Sequence, residues 1–253
     1  MLTPLVAYFI VRQKSEQAVA MPGHYLPDSV TTTTKKGKQV SDTTWHRLGD
    51  ISLTNQDGKT ITWENLKGKI VVADVFFTRC PTICPAMTSN MKRLAGSVHN
   101  GKRVGDKTNK LVHFVSISID PERDSVERLK KWADRFQIDP AQWWLLTGNK
   151  QEIYNFAINE MKMFAEDGKG VDTNFIHSDK FVLIDSNRHV RGYYDGLDSA
   201  SLTKLSSDLV LLTMEKNPNA KSFFAGKLQL FAVSFLLAIF GVGLLFYFIR
   251  KKP

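Results

Sequence analysis

Cys80 and Cys84 are the only cysteines in 253 residues, and they lie four apart between prolines in FFTRCPTICPAM, residues 76–87. The thiolate is both the nucleophilic and the metal-binding form of cysteine, so the pair is open to three chemistries: a structural disulfide, a redox dithiol, or part of a metal site. A structural disulfide fits poorly. A chain of this length with 43% hydrophobic residues carries enough apolar material for an ordinary core. A bridge closing so short a loop would also restrict the unfolded chain little. The four-residue spacing lets both sulfurs point the same way, as i and i+4 do on a helix. It is looser than the C-x-x-C of many redox and zinc sites and leaves room for an ion. Two soft thiolates select Cu(I) or Zn over hard cations.

A metal would need a further ligand, and six histidines are available. His113 falls within a strand-like run, His99 and His189 in turns, and His24 and His46 in or beside a linker; all five are set aside as ligands. His177 stands in DTNFIHSDKFVLID, on the loop before a buried strand. In a parallel α/β sheet such loops meet at the edge where ligands bind. From the residues alone it is equally a ligand or a polar loop residue bonded to nearby backbone. Asp120, before Pro121, is read as a turn residue, and Asp124 with Glu127 as a helix cap. Asp74, just upstream of the cysteines, either tunes the thiols by its charge or is a hydrogen-bonded strand residue. Met161 and Met163, near helical spacing, are read as core filler.

The surrounding pattern alternates between strand and helix. KIVVADVFF (69–77), LVHFVSISI (111–119) and WWLLT (143–147) are compact apolar runs of buried-strand type. Between them, Met87, Met91, Leu94 and Val98 recur at helical spacing, as do Val126, Leu129, Ala133 and Phe136, and then Ile153, Phe156, Ala157 and Met161. NQDGK (55–59) signals a hairpin at the start of the domain. FVLIDSNRHVRGYY (181–194) reads as another hairpin, followed by a helix over about 199–214. Strands alternating with helices predict a three-layer α/β domain with a mostly parallel sheet and an antiparallel edge. Cys80 then lies in the loop after the first buried strand and Cys84 at the start of the helix near Pro85. There the positive end of the helix dipole is expected to ease ionisation of both thiols.

The formal charge of +9 is unevenly placed. Residues 1–47 carry six Lys/Arg against three Asp/Glu, residues 216–253 six against none, and residues 48–215 carry 22 of each. The basic excess thus flanks a neutral domain, which argues against a nucleic-acid face. From Leu228 to Ile249 the chain runs 22 residues without a charge, which matches the roughly 20 that span a bilayer as a helix. Arg250, Lys251 and Lys252 follow, and the positive-inside tendency puts that tail in the cytoplasm and the domain on the other side. The organisation read from the sequence is a hydrophobic N-terminal segment (1–20), taken as a cut-down membrane span or a hydrophobic arm, and a linker (21–47). The α/β domain (48–215), a second linker (216–227), a transmembrane helix (228–249) and a basic tail (250–253) complete it.

VFFTRCPTICPAM, SISIDPERDSVERLKKW with its D-P-x-x-D sequence, and NFIHSDKFVLID stand in this order across most of residues 48–215. Together they resemble the Sco/SenC family of membrane-tethered copper proteins. The resemblance implies a thioredoxin-like fold and a copper site, Cu(I) or Cu(II), formed by Cys80, Cys84 and His177. It also implies a role in building the dinuclear copper site of cytochrome c oxidase, by delivering copper or by reducing that site's cysteines. The partners implied are the copper-bearing oxidase subunit, the membrane and an upstream copper donor. Two departures stand out: Thr82 occupies a position between the cysteines that is acidic in many relatives, and the clear membrane span is C-terminal where the family is usually anchored at its N-terminus. The rival reading is a thiol-disulfide oxidoreductase in which Cys80 attacks and Cys84 resolves. The absence of a presequence rich in Arg and Ser favours a bacterial cytoplasmic membrane with the domain facing the periplasm.

Overall fold

The computed structural model describes residues 20–35, 38–99, 108–163 and 178–215. The chain divides into two units, residues 1–214 and 215–253, and every element described below belongs to the first. The expected span at 228–249, the linker at 216–227, the basic tail and nearly all of the N-terminal segment lie outside the described residues. Among the described residues no helix is long and apolar enough to cross a membrane.

A seven-stranded mixed sheet forms the centre. Its strands are β3 (Ser52–Asn55), β4 (Thr60–Thr62), β5 (Ile70–Phe76), β6 (Val112–Ser118), β7 (Trp143–Thr147), β8 (Lys180–Ile184) and β9 (Val190–Asp195), in the order β4-β3-β7-β6-β5-β8-β9. β5, β6 and β7 are parallel, and β3, β4, β8 and β9 add antiparallel pairs on either side. β5 and β6 are buried along their whole length, as their continuous apolar sequence requires for strands covered on both faces.

Strand alternation divides the core in two. Val71, Ala73, Val75, Val115 and Ile117 pack on one face with Ile153, Phe156 and Met161. Val72, Phe76 and Phe114 pack on the other against helices α1 (Ile83–His99), α3 (Val126–Phe136) and α5 (Ser199–Met214). A single helical turn, α2 (Thr108–Leu111), precedes β6. On α1 the buried positions are Cys84, Met87, Thr88, Met91 and Leu94, an apolar stripe at helical period that holds the cysteine-bearing end against the sheet. The NQDGK hairpin forms between β3 and β4, with Gly58 at a φ of 76° that a side chain would strain.

Three expectations are corrected. The stretch 21–47 is not a featureless linker: β1 (Pro27–Lys35) and β2 (Lys38–Trp45) pair as an antiparallel ribbon. The segment before it docks on the domain, with Tyr25 N–H donating to Val190 O and Arg191 to the carbonyls of Pro22 and Gly23. Polar β-branched threonines favour strand without the apolar alternation that announces one. Second, the helix around Ile153 is a short α-helical segment, α4 (Lys150–Tyr154), running into a π-helical turn at Asn155–Glu160. Third, the cap of α3 is Ser125, whose side chain accepts from Arg128 N–H, and Asp124 is fully buried with another task.

Candidate metal centre

β5 delivers the chain to the cysteine loop at Phe76, and the loop turns at once: Cys80 N–H donates to Phe77 O at 3.2 Å. α1 begins at Ile83, so Cys84 occupies its first turn. The N–H groups there lack intrahelical acceptors, and one finds a sulfur: Cys84 N–H donates to Cys80 Sγ at 3.4 Å. Both cysteines are free thiols and both are buried.

Asp124 holds this loop from across the sheet edge. One carboxylate oxygen accepts from Thr78 N–H at 3.0 Å and from the Ser118 hydroxyl at 2.6 Å, and the other accepts from the Thr78 hydroxyl. The segment that leads into Cys80 is thereby tied to the end of β6. Asp120 makes the turn its Pro121 suggests, its carbonyl accepting from the N–H groups of Arg123 and Asp124.

The thiols are not equivalent, contrary to the expectation that both ionise easily. For Cys80 burial opposes ionisation, yet hydrogen bonding from the backbone at Cys84, Thr82 and Ile83 and from the Cys84 thiol outweighs it and lowers its pKa. For Cys84 burial dominates, and the Cys80 sulfur and the charge of Asp74 add to it, so its pKa is pushed well above the ordinary thiol range. Asp74, paired in register with Ser116, lies on the same sheet face as Val72 and Phe76. Burial pushes its own pKa up to about 7, with the Ser116 hydroxyl pulling the other way. Both of its sequence readings find support: Asp74 is a strand residue bonded to the Ser116 hydroxyl, and its charge is a lesser influence on the Cys84 thiol.

His177 lies outside the described residues. The chain resumes at Ser178, and β8 runs antiparallel to β5, pairing Ala73 with Val182 and Val71 with Ile184. The start of β8 therefore lies at the sheet edge where β5 hands over to the cysteine loop. Asn90 of α1 donates to Gly196 O at 2.6 Å, and Gly196 N–H donates to Asp179 O at 2.6 Å, so α1 is coupled to the residues just after His177. Of the set-aside histidines, His113 is a buried strand residue as read, and Met161 and Met163 are core. His24 and His189, also set aside, converge with Asp185 among the described residues, a grouping the sequence reading did not anticipate. The S-N-R turn that returns His189 to Asp185 was visible in the sequence; the folding back of His24 was not.

The donor set fits a soft ion. Two thiols flank one helix start on a largely apolar face, where thiolates replace lost hydration with backbone N–H groups and, when present, a metal. A mixed sheet with a dithiol where an interior strand, β5, hands over to the following helix defines a thioredoxin-like dithiol protein. Residues 41–209 match the family model SCO1/SenC. A Bacillus subtilis (strain 168) protein described as a SCO1 protein homolog is 33% identical over 174 residues, covering 68% of this chain and 86% of its own. Two solved structures share the fold. BsSco, described as having a disulfide switch and as a member of the Sco family of cytochrome c oxidase assembly proteins, is 31% identical with a TM-score of 0.55 over 68% of this chain and 96% of its own. Arabidopsis thaliana ScoI, solved with copper bound, is 25% identical with a TM-score of 0.51 over 64% and 97%. The chain belongs to the SCO1/SenC family.

Proposed function

We propose that this protein is a membrane-anchored copper metallochaperone whose Cys80, Cys84 and His177 hold copper as cargo for the dinuclear copper site of cytochrome c oxidase. The observation that carries the reading is the close, buried pair at the start of α1, with one sulfur receiving the N–H of the other cysteine. Copper bound to Arabidopsis thaliana ScoI and the role in oxidase assembly stated for BsSco support it. The copper-bearing oxidase subunit is the recipient and an upstream donor the source. The anchor is the charge-free stretch 228–249, in a cytoplasmic membrane with the domain on its outer side.

Chemically, the lowered pKa of Cys80 presents a thiolate first, and the ion's charge then offsets the burial that keeps Cys84 protonated. Loading therefore releases the Cys84 proton, and acidification favours unloading. The test is a competition titration of reduced full-length protein with Cu(I), followed by Cu(II) binding to His177→Ala. One copper per chain and at least a tenfold loss of Cu(II) affinity in the variant, with an unchanged melting temperature, are expected. Equal Cu(II) affinity in a folded variant would remove His177 from the site.

The thiol asymmetry also favours a second reading, reduction of a partner disulfide. The Cys80 thiolate attacks one partner sulfur and releases the other as a thiolate. The Cys84 thiol, on losing its proton, then displaces the partner's second thiolate, leaving the Cys80–Cys84 disulfide and a dithiol partner. A dithiol potential near the glutathione range with no measurable copper affinity would select this reading over the first.

A further inference from the structure

A second cluster of metal-ligating side chains lies away from the cysteines, at the turn between β8 and β9. His24 Nε2 is 3.8 Å and His189 Nδ1 3.6 Å from the same oxygen, Asp185 Oδ2. One ligand atom from each of the three residues lies within 4.8 Å of the other two. Ligands about 2.0–2.1 Å from a tetrahedral zinc sit roughly 3.3 Å apart, so a modest closure of the observed triangle would suffice. We propose that His24, Asp185 and His189 form a binding site for a nitrogen-preferring divalent cation of the zinc type, which clasps the N-terminal arm onto the domain.

The three groups are held rather than merely near. Asp185 Oδ1 accepts from the N–H groups of Asn187 and His189, each at 2.9 Å, which fixes the carboxylate with Oδ2 turned toward the two imidazoles and Arg191. The His24 ring stacks on Trp45 at 5.2 Å and meets the His189 ring edge-on at 5.5 Å. His189 Nδ1 is shielded from solvent and makes no hydrogen bond among the described residues; a cation would give this buried nitrogen the partner it lacks. Carboxylate ligands in metal sites are themselves hydrogen-bonded, and Arg191 Nη1 at 3.1 Å from Oδ2 fills that place.

Arg191 also sets the selectivity. Its charge cancels that of Asp185, so the pocket is neutral before an ion enters. Calcium and magnesium take oxygen-rich, mostly anionic shells. Two imidazoles and one carboxylate, with open positions for water, suit zinc, copper(II) or nickel instead. Pro22 and Gly23 receive the rest of the Arg191 guanidinium, so the ion would sit where the arm carrying His24 already touches the β8–β9 turn.

The site shares no residue with the copper centre, and its test is made independent of it. Full-length protein carrying Cys80→Ser, Cys84→Ser and His177→Ala is titrated with Zn(II) by calorimetry, and its melting temperature is followed with and without zinc. One zinc per chain and a zinc-dependent rise in melting temperature are expected. Adding His24→Ala, which removes a half-buried ring from the arm, should weaken zinc binding at least tenfold and abolish that rise while leaving the zinc-free melting temperature nearly unchanged. His189→Ala should do the same to binding. Absence of stoichiometric zinc in the triple background, or affinity that survives both histidine substitutions, overturns the site.

Discussion

Cys80 gathers backbone N–H groups from the first turn of α1, whereas Cys84, one turn on, faces the apolar side of the sheet and Asp74. Alkylation should expose the difference: at pH 7, Cys80 in a Cys84→Ser variant should react at least tenfold faster with iodoacetamide than Cys84 in a Cys80→Ser variant. Equal rates would mean that the helix start does not discriminate between the sulfurs. Another residue-scale consequence lies on the opposite sheet face. His113 is buried against Trp144, ring centroids 3.9 Å apart, and neither ring nitrogen has a hydrogen-bond partner among the described residues. Burial, helped by the charge of Lys69, lowers its pKa to about 3. The unfolded histidine takes a proton near its ordinary value of 6.5 while the folded one refuses it, so the unfolded state binds more protons between those values. Stability is therefore full above about 6.5 and falls as the pH drops toward about 3. From pH 6.5 to pH 4.5, wild type should lose about 2 kcal/mol relative to His113→Leu, the slope rising to about 1.36 kcal/mol per pH unit once the unfolded histidine is fully protonated. Urea unfolding of both proteins at the two pH values measures it.

At the scale of elements, the cysteine loop depends on a contact that no local pattern announces. Asp124 stands just before α3, where a cap was expected, but Ser125 takes the cap and Asp124 reaches Thr78, 46 residues earlier in sequence. Asp124→Ala would strand the buried hydroxyl of Ser118 and the N–H of Thr78. The expected cost is about 3 kcal/mol in thermal or urea unfolding, from several lost hydrogen bonds to a charged acceptor. Ser125→Ala, a simple cap loss, should cost only about 1 kcal/mol. A reversal of that order would return Asp124 to the role of a cap. The same contrast explains what could be read from the sequence. β5, β6, β7 and the β8–β9 hairpin are visible because each buries a run or alternation of apolar residues, and α1 because Met87, Met91 and Leu94 repeat at helical period. The β1–β2 ribbon is not visible, since TTTT offers no apolar face. The inequality of the thiols is hidden too, because it depends on Asp74, ten residues before Cys84 and carried next to it by strand and helix packing.

For the whole molecule, the copper ligands named from sequence are only partly addressed by the described residues: Cys80 and Cys84 meet at one helix start, and the chain resumes at Ser178, directly after His177. The fold makes one further demand there. Gly196 has no side chain, and a Cβ in its place would lie 3.0 Å from Asp179 O, 3.0 Å from Met87 Cε and 3.2 Å from Phe181 Cζ. Three elements thus converge on a glycine: the cysteine helix, the start of β8 and the end of β9. A larger residue there crowds the Asp179 carbonyl, which belongs to the segment that follows His177, together with the side-chain ends of Met87 from α1 and Phe181 from β8. If the two cysteines and His177 bind one ion together, Gly196→Val should weaken Cu(II) binding at least tenfold and destabilise the fold by about 1–3 kcal/mol, the usual cost of overpacking. Gly58→Ala supplies the control, because its Cβ meets nothing within 4 Å and its strain is confined to a hairpin tip. It should lower stability through its positive φ of 76° while leaving copper affinity unchanged. Copper titrations paired with urea unfolding of both variants separate the cases. If affinity simply follows stability in the two proteins, the spacing between α1 and β8 does not govern the metal site. If only Gly196→Val loses copper, that spacing is what brings the distant imidazole and the two sulfurs to one ion.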